Sequence, residues 1–90
     1  MLVSNWKENT EGFGVWTAPN CVTEGPKLPT IIEDSTGGFG TFGLCGEILN
    51  CGEAFDTFED AAKFLESMFT WSVMLNGHDI SLSGDNVKRS

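Results

Sequence analysis

The sequence predicts an α+β fold: a small antiparallel sheet built from hairpins, with one amphipathic helix packed across it. Three observations carry this reading. "FDTFEDAAKFLESMF" (55–69) places apolar residues at helical spacing behind a capping residue. "TWSVMLNGHDISLSG" (70–84) alternates apolar and polar residues on either side of Asn76-Gly77, a strong type I′ hairpin signal. "TIIEDSTGGFGTF" (30–42) is a β-branched run, a polar glycine-rich turn and a returning strand.

Taken in order, "LVSNW" (2–6) and "GFGVWTA" (12–18) read as two strands joined by the polar loop "KENTEG". Phe13 and Val15 alternate with Gly14 and Trp16, so one face of the second strand is apolar and the other flatter. "PNCVTEGPKLP" (19–29) is a connector, because Pro19, Pro26 and Pro29 rule out a helix. "EDSTGG" turns the chain between the strands of the next hairpin. Neither Gly-Phe-Gly unit opens a helix, and no Gly-Lys-Ser/Thr follows, so these glycines are not a phosphate cradle.

The stretch "CGEILNCGEAF" (45–55) repeats Cys-Gly-Glu. Asn50 and Gly52 tolerate left-handed backbone angles, so "NCGE" reads as a reversal between "GEIL" and "AF". In the helix, expected over 57–69, Thr57 accepts from the amide of Asp60, and Asp60 answers as in a capping box. Phe58, Ala61, Ala62, Leu65, Met68 and Phe69 form the core stripe, with Phe55 as a staple onto Ala61. Glu59, Lys63, Glu66 and Ser67 fall mainly on the other faces. A competing reading continues the helix to Leu75 with Gly77 as its C-cap. Thr, Trp, Ser and Val are mediocre helix formers, which favours the hairpin. The three tryptophans are read as core residues that become binding anchors only if exposed. The whole chain, 1–90, is read as one domain, with 88–90 a frayed tail.

The charge is uneven. The formal net charge is −8, from 13 acids against five Lys or Arg. Between Lys27 and Lys63 stand Glu33, Asp34, Glu47, Glu53, Asp56, Glu59 and Asp60, with no base among them. Such a chain repels nucleic acid and anionic membrane and attracts basic surfaces. No apolar run reaches the ~18–20 residues of a membrane span, and the first residues lack a signal-peptide pattern, which points to the cytoplasm.

Candidate chemistry is sparse. Cys21, Cys45, Cys51 and His78 are enough ligands for a Cys₃His zinc site, but 23, 5 and 26 residues separate them, unlike the short knuckles of zinc modules. The cysteines are therefore read as small buried hydrophobes, with a Cys45–Cys51 thiol pair or disulfide across the turn as an alternative. One histidine beside a turn and no carboxylate in an isolated apolar setting leave no catalytic constellation. No cofactor, metal or catalytic residue is expected.

At "FDTFEDAAKFLE" (55–66) the chain resembles the strand-into-capped-helix unit of many small proteins from phages and other mobile elements. A short acidic domain without catalytic residues is also similar to many anti-CRISPR proteins. The resemblance implies stoichiometric binding to a nuclease or surveillance complex over its nucleic-acid-binding surface. On this reading the chain is a non-enzymatic inhibitor acting in the bacterial host cell as a monomer or homodimer. Glu33, Asp34, Glu47, Glu53, Asp56, Glu59 and Asp60 form the partner contacts and partly imitate a DNA phosphate backbone. It binds no nucleic acid and no membrane itself. The alternatives are an interaction or structural accessory domain whose acidity serves only solubility, and a small zinc or thiol protein.

Overall fold

The computed structural model describes residues 3–9 and 14–82, the side chains of Leu75 and Leu82 excepted. Gly12 and Phe13 of the first Gly-Phe-Gly unit, and the expected tail, lie outside the described residues. The fold is α+β, but with two antiparallel sheets instead of one. Strands β1 (Lys7–Glu8), β2 (Val15–Thr17), β4 (Thr30–Glu33) and β5 (Phe39–Phe42) form the first, in the order β1-β2-β4-β5. Strands β3 (Cys21–Val22), β6 (Thr70–Leu75) and β7 (His78–Leu82) form the second, in the order β3-β6-β7. Helix α1 (Phe58–Glu66) packs on β4 and β5.

Registers in the first sheet sort its residues by face. Trp16, Ile31 and Thr41 stand opposite one another, as do Val15, Ile32 and Gly40 one step along. Alternation therefore puts the first row and Phe39 under the helix and the second row on the outside. Trp16, not Val15, is the inward residue of β2, and its ring lies 5.0 Å from that of Phe58. Ile31, Ala61, Ala62 and Leu65 are fully buried in this core. A second core joins Ala18, Cys21 and Trp71, and Trp6 and Phe69 pack against both.

Residues 3–6 do not form the expected strand. The amides of Val3 and Ser4 donate to the carboxylate of Glu66 (3.1 and 2.8 Å), and the amide of Asn5 donates to Asn20 Oδ1 (3.0 Å). These donors are thus used by side chains, and the ladder forms later, between Lys7–Glu8 and Trp16–Thr17. The expected connector 19–29 also contributes a strand, since Cys21 and Val22 pair with Trp71 and Thr70.

The helix begins at the expected cap, with the Asp60 amide donating to Thr57 Oγ1 at 3.1 Å, but the answering bond from Thr57 N to the Asp60 carboxylate does not form among the described residues. It ends at Glu66, three residues before the expected Phe69. Ser67 closes it, its amide bonded to Lys63 O and its hydroxyl donating to Phe64 O. Met68 therefore leaves the helical stripe and is 47% exposed, while Phe69 reaches the core from beyond the helix. Phe55 packs against the cluster that holds Ala61, but its ring contact is with Phe64, at 5.2 Å between centroids and tilted. The β6–β7 hairpin turns at Asn76 (φ 53°) and Gly77 (φ 80°), as the Asn-Gly signal requires.

Candidate functional site

Glu66 is the carboxylate that the helical pattern misplaces. It is 1% exposed, and its two oxygens accept from Val3 N, Ser4 N and Trp6 Nε1 (3.0 Å). Its carbonyl accepts from Trp71 Nε1 at 2.9 Å. A buried carboxylate is tolerated when N–H donors replace its water, and here two amides and an indole do. Glu66 ties the N-terminal segment to the end of α1. It is a structural residue, not a surface contact.

The seven carboxylates expected to meet a partner are all exposed, in several separate settings. Glu33 ends β4, and its amide donates to Gly14 O. Asp34 builds the following turn: its Oδ1 accepts from Thr36 N (2.9 Å), Thr36 Oγ1 (2.6 Å) and Gly38 N (2.9 Å). The Thr36 hydroxyl, with these amides, holds the Asp34 carboxyl below its usual range. Glu47 folds back on its own turn, accepting from Cys45 N at 2.9 Å. Asp56, Glu59 and Asp60 stand before and within the first turn of α1, where the helix dipole favours them. Among the described residues Glu59 alone is ion-paired, to Lys63 at 2.9 Å. That ammonium lowers the Glu59 carboxyl and is itself raised.

Both Cys-Gly-Glu units are turns. In the first, Gly46 (φ 77°) donates to Gly43 O, and Gly43 donates to Glu47 O. In the second, Asn50, Cys51 and Gly52 all take left-handed angles (φ 57°, 54° and 81°). The Gly52 amide donates to Leu49 O, the Glu53 amide to Asn50 O, and Asn50 Nδ2 to Glu53 O. Asn50 and Gly52 were legible as left-handed positions. Cys51 was not, because a cysteine there is held only by its neighbours' bonds.

This second turn creates a cleft. Phe42 stands opposite Ile48, so an uninterrupted ladder would set Cys51 opposite Phe39. Phe55 stands there instead, four residues later, paired to Phe39 through both backbone bonds (2.8 and 2.9 Å). The displaced segment walls a cleft of about 210 Å³ with Ile32, Phe42 and Ile48 among its apolar lining and Asp34 and Glu53 as its acidic members. Ile32 and Ile48 are 37% and 66% exposed. Asp34 and Glu53 are thus brought to one site, whereas Glu33, Glu47, Asp56, Glu59 and Asp60 do not line it. A signal for the cleft was present in "TIIE": of two consecutive isoleucines on a strand, one must face away from the core.

The cysteines divide. Cys21 is buried in the second core, and burial pushes its thiol up to about 11. Cys45 and Cys51 are exposed free thiols, which corrects their reading as buried hydrophobes: both sit on turns outside either core. Among the described residues no three His, Cys, Asp or Glu side chains are grouped to hold a metal ion. No helix among them is long and apolar enough to cross a membrane. Compared with known proteins, the chain matches no family model, no curated protein and no solved structure.

Proposed function

We propose that the chain is a non-enzymatic inhibitor that covers a basic, nucleic-acid-binding surface of another protein, as anti-CRISPR proteins do with effectors of bacterial defence. One observation carries this reading. Seven exposed carboxylates lie between residues 28 and 62 without a base in that span, and six of them have no ion-pair partner among the described residues. Unpaired surface acids give a field that steers a basic partner into contact.

A second reading has its own observation. Ile32, Phe42 and Ile48 leave apolar surface on the outer face of the first sheet, which suits an accessory domain that associates through apolar contact. Ionic strength separates the two. The purified chain, immobilised in bacterial lysate, is expected to capture a basic nucleic-acid-binding protein at low salt and release it as salt rises. Added in equimolar amount, it should block nucleic-acid binding by that protein. Capture that salt leaves unchanged, with no effect on nucleic-acid binding, supports the accessory-domain reading instead.

A further inference from the structure

We infer that the cleft beside the left-handed turn is an anchor pocket for one basic side chain of the partner. The aliphatic stem of that lysine or arginine lies on Ile32, Phe42 and Ile48, and its charged head reaches Asp34 and Glu53. The inference rests on the reading that the partner is basic, and adds where it is held.

Size narrows the occupant. At about 210 Å³ the cleft is smaller than the roughly 300–1,000 Å³ of small-molecule sites, but it suits a single long side chain. Charge narrows it further, because the cleft is lined by two carboxylates and by no base. An apolar floor beneath carboxylates matches the two parts of a long basic side chain: a hydrocarbon stem and a cationic head. Asp34 uses Oδ1 for all three of its turn bonds, so Oδ2 remains as an acceptor. An aspartate paired only with its own turn is available to a guanidinium or ammonium.

The walls are preorganised. Asp34 fixes one through the 34–38 turn, and the bonds of residues 49–53 fix the other. A preformed pocket spares the partner the cost of ordering it.

The test uses the isotope-labelled full chain and a blocked peptide, Gly-Ile-Arg-Gly. Its controls replace the arginine by norleucine, which keeps a stem without charge, or by glutamate. At millimolar peptide the arginine form should move the amide signals of Gly40, Ile48, Gly52 and Glu53. The norleucine form should bind about tenfold more weakly, and the glutamate form not at all, as expected for a charge-assisted contact. Glu53→Gln and Ile48→Ser should each weaken arginine-peptide binding several-fold while leaving the urea midpoint unchanged. Asp34→Asn keeps an Oδ1 acceptor for the turn and should weaken arginine-peptide binding as Glu53→Gln does, but its urea midpoint should fall, because the turn bonds lose their charge assistance.

Shifts centred on Asp56, Glu59 and Asp60, equal binding of the norleucine peptide, or no effect of Ile48→Ser would each overturn the pocket. So would concentration-dependent self-association that buries this face, which would make a second copy its occupant. The two proposals fail separately. If the chain captures a basic protein in a salt-sensitive way but the arginine peptide misses the cleft, only the pocket falls. If the peptide seats in the cleft but no basic protein is captured, the pocket stands and the inhibitor reading falls.

Discussion

Glu66 and Glu53 show two uses of one side chain. Glu66 is enclosed by the N-terminal segment and satisfied by three N–H donors. Glu53 is exposed at the edge of a cleft, on a turn stabilised by backbone bonds that its carboxylate does not make. The first acid is committed to the fold, and the carboxylate of the second makes no hydrogen bond or ion pair among the described residues. Net charge alone does not distinguish them; the supply of neighbouring donors does.

The largest effect should come from breaking the committed acid. Glu66→Ala leaves the donors of Val3, Ser4 and Trp6 without their acceptor, and should cost about 3–5 kcal/mol in urea unfolding. The core beside it should respond nearly as strongly. Leu65→Ala, at a fully buried position on α1, should cost roughly 2–4 kcal/mol; a loss under about half a kcal/mol would mean this face is not the core.

Gly52→Val tests the turn itself. At φ 81° a β-branched residue is strained, and a loss of about 1–2 kcal/mol is expected from the same unfolding measurement. A smaller change, of opposite sign, is expected at Thr41. Its hydroxyl is buried under the helix and is the one buried side-chain polar atom without a hydrogen-bond partner among the described residues. Thr41→Val should gain about 1 kcal/mol, because it removes an unsatisfied group at nearly constant shape.

Legibility followed the range of the interactions. Thr57 capping Asp60, the Asn76-Gly77 hairpin and the 34–38 turn are set by residues within a few positions, and all three stand where the local signals put them. Glu66 failed that test because its donors are 60 or more residues away, and on the helix alone it looks like a solvated acid. The split into two sheets was hidden for a similar reason. It depends on Cys21–Val22 pairing with Trp71 and Thr70, inside a proline-rich stretch that looks like a connector. At the candidate site, the acids and the turn could be read, but their meeting could not. Asp34 and Glu53 share a cleft only because four extra residues separate the Ile48 and Phe55 pairings.

The smallest stability effect and the most direct test of function come from the same protein. Glu47→Gln with Glu53→Gln changes two exposed side chains and spares both turn glycines, so stability should move by less than about 0.5 kcal/mol. The decisive measurement is the association rate of this double variant with the captured basic protein, at low and at moderate salt. If the free acids steer the partner, the variant should associate about tenfold more slowly than the parent at low salt, and the gap should close as salt screens the field. Equal association and equal inhibition by variant and parent at both salts would contradict the account and leave the repeated Cys-Gly-Glu as two solvated turns.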